Sequence, residues 1–448
     1  SAVQRLHRTP WIEQARATPT DFLGWLHSES TRRTKGVTRS VPFRRYRIFD
    51  DLVARNLQNR NPAFAWHDGS SMEAEFSYQA LSEASAQRVA AWRAAGLTPE
   101  TNLAIVRAFD RELLISVVAA MRLGIIFCWI PTEGEALIKE RLANGHFTVV
   151  DVDTRYSRLV PEQYKRLNPV ADVGSTSSLS GDIEAVDFTA GASVCLAFDT
   201  SSEGYATPTP VTIDQLYFCA LQDGAIALEL GENKRLAVLH DGYGTTRLNL
   251  VLACWMVGAT YVHVGRVEDW KEAETLSNFR LDTIILSTEA VSNLTEIGVD
   301  LSMLAHLFVR DPQQSGSTIE WSDLIQRCNL GEKYFTNYIA SSFIGGGVLT
   351  APRRQGIAHD EVLPHFGQAF TLCDPVFADE TSSSYGQLVL EYNGQDGPII
   401  VDTAHMLAVV GCSHTYIECT VRGVDGQYFP CEVIERSLGH VDGTYAVC

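Results

Sequence analysis

The chain has 448 residues, 45% of them hydrophobic and 20% charged, the composition of an ordinary globular protein with room for a large α/β core and two or three domains. Its formal net charge is −18 and unevenly divided: residues 1–60 hold 12 Lys/Arg against 5 Asp/Glu, and the remainder holds 24 against 49. So acidic a body argues against nucleic acid as a partner, and the most apolar stretches, such as Leu113 to Ile130, carry Arg122 and Gly124 and fall short of a membrane span.

The N-terminal arm, residues 1–47, is basic and densest in charge from Arg32 to Arg47. Such an arm can dock on the acidic body or on an acidic partner such as a carrier protein, or stay solvated. No charged-then-apolar leader pattern opens the chain. The ten cysteines show no CxxC pair and no regular spacing. Reduced, mostly buried thiols in a cytoplasmic protein are expected from that pattern.

From Ile48 the sequence becomes regular. Ile48–Val53 reads as a short helix, Pro62–Trp66 as a strand, and His67-Asp68-Gly69 as a turn. A helix follows through Leu81, Ala84, Val89 and Trp92, with Ser77 as N-cap and Gly96 as the stop. Strand Leu103–Arg107, helix Arg111–Leu123 and strand Ile125–Ile130 come next. Alternation of this kind builds a doubly wound, mainly parallel sheet. Residues 162–192 are polar and rich in Gly, Ser and Asn, a surface excursion.

The apolar run Val194–Phe198 then opens into a loop of small and hydroxylated residues, and a helical pattern starts at Thr212 and runs to Leu230. Thr200, Ser201, Ser202 and Gly204 are candidate donors to an anionic ligand, since loops of these residues cradle phosphate with backbone N–H groups. Asp199 and Glu203 oppose a triphosphate there, because like charges about 4 Å apart repel by roughly 4 kcal/mol at a surface-like dielectric. No Lys or Arg lies between Asp199 and Gln222 to offset them. Further on, Arg235–Gly265 reads strand, turn, helix, strand, and Gly367–Glu391 reads as β-rich.

These segments, in this order, resemble the adenylate-forming superfamily: acyl- and aryl-CoA synthetases, peptide-synthetase adenylation domains, fatty acyl-AMP ligases and luciferases. Thr200–Gly204 and Pro208-Thr209-Pro210 stand where that family carries Thr-Ser-Gly-Thr-Thr-Gly-x-Pro-Lys-Gly, so its lysine is absent. Phe76–Leu81, Gly96–Glu100 and Met121–Pro131 follow other family phrases, as does Asp300–Phe308, where Arg310-Asp311 replace paired glycines. The resemblance implies a layered αβαβα large domain over residues 48–345, a small β-barrel over 346–410 and a remnant of the mobile C-terminal domain over 411–448.

On this resemblance His240 and Tyr243 face an acyl or aryl substrate, Tyr338 stacks on adenine, Ser341 touches phosphate and Asp402 accepts the ribose hydroxyls. Ser342 stands where the family has its metal-binding Glu, and Cys412, His414 and Thr415 replace the hinge charges. A neutral hydroxyl is a poor ligand for a hard divalent cation. Adenylation needs cations against the α-phosphate and a metal bridging the phosphates, so ATP and Mg²⁺ are expected to bind weakly or not at all, with no other cofactor or metal. Three functions stay open. They are a repurposed enzyme for ATP-independent acyl transfer, condensation or hydrolysis, with His240, Tyr338, Asp402 or a thiol as catalytic residues; a non-catalytic acyl-binding or partner-regulating subunit; and a ligase completed by another chain. The implied partner is a small acyl or aryl substrate, free or bound to CoA or a carrier protein.

Overall fold

The structure, a computed structural model, describes residues 53–67 (55 aside), 73–132, 134–167, 191–198, 208–213, 230–239, 245–264, 280–286, 288–310 and 326–330. It also describes a few single positions between these segments and the backbone of the strands from 335 to 430. Two large sheets organise it. One has six strands in the order β6 (Lys165–Leu167), β5 (Val149–Val152), β3 (Asn102–Val106), β4 (Ile126–Ile130), β7 (Ser193–Phe198) and β8 (Pro208–Thr212). All pairings in it are parallel except β7 with β8.

The other sheet has nine strands, ordered β15-β14-β13-β12-β11-β9-β10-β1-β2. Their ranges are β1 Phe64–His67, β2 Glu73–Phe76, β9 Arg235–Leu239, β10 Thr260–His263, β11 Thr283–Leu286, β12 His306–Arg310, β13 Phe335–Ser341, β14 Gly346–Arg353 and β15 Leu363–Pro364. From β1 to β13 the neighbours run parallel, while β2, β14 and β15 close the two edges antiparallel.

Strand alternation explains how the sheets stack. Side chains at i and i+2 share a face, and along β3 Leu103 and Ile105 enter one core while Ala104 and Val106 enter another. Strand β4 divides likewise, with Phe127 and Trp129 on one side and Cys128 and Ile130 on the other. In the nine-stranded sheet Leu236 and Val238 of β9 join the same first core, and Ala237 and Leu239 join a third. The shared core therefore lies between the sheets. It contains helices α1 (Tyr78–Ala94), α2 (Arg111–Leu123) and α4 (Thr245–Val257). Outside the sheets, α3 (Glu135–Asn144) covers the six-stranded one with Ile138 and Leu142, and α5 (Thr288–Ile297) covers the nine-stranded one with Ala290 and Leu294. Five layers, αβαβα, result.

Central helices must be apolar all round. Every residue of α2 from Leu113 to Leu123 is buried, including Ser116 and Arg122. Its ends are set locally: Asp110 accepts from the Leu113 N–H at 2.9 Å, and Gly124 takes the left-handed φ of 69° that ends the helix. Helix α1 begins on the hydroxyl of Ser77, which accepts from Ala80 N–H at 3.1 Å, and Gly96 follows its end at φ 81°.

One correction concerns the stretch after β7. The sequence reads there as strand, loop, helix, but residues 208–212 form β8, antiparallel to β7. Pro208 and Pro210 lack N–H donors, which β8 tolerates because it is the edge strand of its sheet. Beyond the nine-stranded sheet, β16 (Ala369–Phe377), β17 (Ser383–Gly394), β18 (Gly397–Val410) and β19 (Ser413–Ile417) form an antiparallel meander. The Asp374-Pro375 pair falls at a register shift in β16. Strands β20 (Thr420–Arg422) and β21 (Tyr428–Pro430) make a separate antiparallel pair.

Candidate functional site

In open α/β sheets ligands bind outside the carboxyl ends of the parallel strands. Four such ends converge here. Trp66 lies near the end of β1, His263 ends β10, Phe109 follows β3, and Trp129 lies near the end of β4. The parallel register of β1 and β10 sets Phe64 opposite Tyr261 and Trp66 opposite His263, so all four rings share the interlayer face. Phe64 stacks on Trp66 with centroids 5.7 Å apart, and Phe109 contacts Trp129 at 5.5 Å and both Tyr261 and His263 at 5.4 Å. The indole of Trp129 donates to the Arg107 carbonyl at 2.9 Å and ties the ends of the neighbouring strands β3 and β4 together.

Arg247 enters this aromatic group from the first turn of α4. It is 7% exposed, with its guanidinium 4.3 Å above the Phe109 ring. Its Nε donates to the Tyr261 hydroxyl at 3.2 Å and its Nη2 lies 3.3 Å from His263 Nδ1. Burial, and next the Arg247 charge, push His263 down to about 3, so its imidazole is neutral at pH 7. Nδ1 then accepts from Arg247, which places the ring proton on Nε2. Burial also raises the Tyr261 phenol above its ordinary value, against the opposing pull of Arg247. The cluster thus holds one cation among neutral groups.

A second buried polar group lies in the six-stranded half. Arg107 grips Asp151 with Nε and Nη2 at 3.1 and 2.8 Å, and Ser116 donates to the same carboxylate at 2.6 Å. Arg88 binds Ser116, lies 3.7 Å from Asp151 and pairs with Glu112 at 2.5 Å. Burial favours the protonated Asp151, but the bonds and charge of Arg107, the charge of Arg88 and the Ser116 hydroxyl outweigh it and hold the carboxyl below the usual range. Charges here are balanced two against two.

Of the residues read from sequence as site residues, Tyr338 and Ser341 lie on β13 and Asp402 lies on β18, opposite Val389 of β17. Strands β13 and β18 are in contact. Thr200, Ser201, Ser202, Gly204, His240, Tyr243 and Cys412 lie outside the described residues. The first four fall within the β7–β8 connection, and His240 and Tyr243 fall between β9 and α4, just ahead of Arg247. Among the described residues no group of three or more His, Cys, Asp or Glu can hold a metal, and no helix is long and apolar enough to cross a membrane.

Cys128, Cys195, Cys254 and Cys328 are all buried, and burial pushes Cys195 up to about 12, Cys328 up to about 11 and the other two higher still. A cavity of about 10 Å³ between Leu114, Phe127, Leu216, Val251 and Trp255 is an apolar packing void, with room for about one water and no polar partner for it. The sequence reading missed Arg247, His263, Phe109 and Trp129. Its available signal was a single arginine at the start of an otherwise apolar helix, TTRLNLVLACWMV.

No family model matches the chain, and no curated protein matches its sequence. Solved structures do. An o-succinylbenzoate CoA synthetase from Bacillus subtilis, bound with its product analogue OSB-NCoA, is 15% identical with a TM-score of 0.63 over 87% of this chain and 83% of that one. McyG A-PCP complexed with phenylalanyl-adenylate is 10% identical with a TM-score of 0.68 over 89% and 80%. The anthranilate CoA ligase AuaEII, in complex with anthranoyl-AMP, is 16% identical with a TM-score of 0.66 over 90% and 83%. The chain has the fold of the adenylate-forming enzymes.

Proposed function

We propose that the chain takes an acyl or aryl group, free or carried on CoA or a carrier protein, to the carboxyl ends of its two parallel sheets and works on it without forming an adenylate. The observation that carries this reading is the ring-lined group of Phe109, Trp129, Tyr261 and His263 with one cation in its midst. Apolar burial with a few convergent polar groups is how small-molecule sites bind. The likeness to structures holding a CoA product analogue, phenylalanyl-adenylate and anthranoyl-AMP supports the same substrate class. Against adenylation stand Asp199 and Glu203 in the β7–β8 connection, Pro208-Thr209-Pro210 without a lysine, and Ser342 in place of a carboxylate.

The activity would be acyl transfer, condensation or hydrolysis, with His240 as general base, Tyr243 in the pocket, and Tyr338 and Asp402 from the adjoining strands. A second reading, a non-catalytic acyl-binding or partner-regulating subunit, is favoured by one observation: the described thiols are protonated, and His263 is too weak a base for neutral pH. Turnover of acyl and aryl thioesters without ATP, in wild type and in His240→Ala and His240→Asn, separates the two. The enzyme reading expects wild-type turnover that falls about a hundredfold or more in both variants. Equal rates in all three remove the enzyme and leave the binding subunit.

A further inference from the structure

From Leu248 to Val257 every residue of α4 is buried, and Asn249 is the one strongly polar side chain among them. Its amide Nδ2 donates to Asp223 Oδ2 at 3.0 Å, and both residues are fully buried. Beside this pair the backbones come close: a Cβ on Gly224 would lie 2.6 Å from the carbonyl oxygen of Ala253, so only glycine fits there. Ala253 and Asn249, four residues apart, lie on one face of α4. Asp223 and Gly224 form a wide turn whose carbonyls accept from the Leu228 and Leu230 N–H groups at 2.9 Å each.

One atom of this junction is not satisfied. Asn249 Oδ1 accepts no hydrogen bond among the described residues, and a buried carbonyl oxygen left without a donor is costly. Turning the amide over only exchanges an unmet acceptor for an unmet donor, because an ionised carboxyl can serve the amide N–H but has no hydrogen for the amide oxygen. A protonated carboxyl has one. An acid and a primary amide side by side satisfy each other with two bonds, O–H to Oδ1 and Nδ2–H to the other carboxyl oxygen. Burial acts in the same direction, since it disfavours the charged form. Among the described residues, the other ionisable groups on α4 and on β7 and β10, which pack on it, are Arg247, Cys254, Cys195, Tyr261 and His263. Arg247 is turned to Phe109, Tyr261 and His263, and the remaining four are neutral at pH 7.

We propose that Asp223 keeps its proton in the folded chain at neutral pH and donates it to Asn249, so that the two form a neutral acid–amide latch between the Asp223-Gly224 turn and α4 that loosens as Asp223 ionises at higher pH.

The test compares the full chain with Asp223→Asn, whose amide–amide pair keeps both bonds and carries no titrating proton. In the unfolded chain an Asp titrates at about 3.9. A proton kept above that value in the folded chain stabilises it fully below about pH 3.9, and the contribution is lost as pH rises towards the folded value. Urea unfolding from pH 4.5 to 8 is therefore expected to show the unfolding equilibrium constant of wild type rising against that of Asp223→Asn by up to about tenfold per pH unit, until Asp223 ionises in the folded chain as well. Taking the ratio removes the groups common to both proteins. Infrared spectra at pH 7 should show a protonated-carboxyl C=O stretch that Asp223→Asn lacks. A ratio that stays constant or falls with pH, or spectra that differ in no such band, overturns the proposal and leaves an ionised Asp223. Should Asp223→Asn not fold, Asn249→Leu takes its place: the wild-type band must move when its amide partner is removed, and a band that is absent or unmoved overturns the proposal.

Discussion

Two buried arginine groups, one in each half of the molecule, have been given opposite electrostatic solutions. Around Asp151 two guanidiniums meet two carboxylates and a hydroxyl, joining β3, β5, α1 and α2. Around Arg247 the rings of Phe109, Tyr261 and His263 enclose a cation that none of them neutralises. The first arrangement is complete as it stands and holds elements in place. The second holds its cation with two hydrogen bonds and a ring face, and no carboxylate joins it among the described residues.

The largest expected effect breaks the balanced group. Asp151→Ala leaves Arg107 buried without its carboxylate and should cost about 3–5 kcal/mol by urea denaturation. A loss under about 1 kcal/mol would mean that the group is hydrated or redundant.

A second effect sharpens the contrast through pH. His263 is held at about 3 when folded and has an ordinary value of 6.5, so the unfolded chain binds a proton that the folded chain does not between those limits. Its contribution to stability is therefore fully present above pH 6.5 and is lost as pH falls from there towards 3, at up to about 1.4 kcal/mol per pH unit. Comparing His263→Gln with wild type from pH 7.5 to 4 should show a shallower loss in the variant. Parallel curves would contradict the buried neutral ring.

Smaller again, Arg247→Met should leave stability within about 1 kcal/mol of wild type, or raise it, where Asp151→Ala does not. The floor of the comparison is Arg158→Ala, which breaks the exposed pair with Glu135 and should change stability by less than about 0.5 kcal/mol.

Much of the layered fold could be read from pattern. Helix Arg111–Leu123 begins and ends where Asp110 and Gly124 place its caps, and strand, helix, strand from Arg235 onward emerges as β9, α4 and β10. Those signals are local. Strand β8 was not legible because its two prolines argue against a strand, and only its edge position makes them acceptable. The Arg247 cluster was not legible because Phe64, Phe109, Trp129 and Tyr261 come from strands and loops far apart in sequence, and no local period announces that they meet. Residues assigned by resemblance, such as Tyr338 and Asp402, came from order and spacing alone.

Whether this fold works here without adenylation is tested most directly by pyrophosphate exchange. The full chain is incubated with ATP, Mg²⁺, labelled pyrophosphate and a panel of acyl and aryl acids that includes benzoate and 2-naphthoate. With no lysine in Pro208-Thr209-Pro210 and with Asp199 and Glu203 adding negative charge to the β7–β8 connection, the expected result is no acid-dependent label in ATP above the level of heat-denatured protein. Exchange that rises with any acid in the panel would contradict the account.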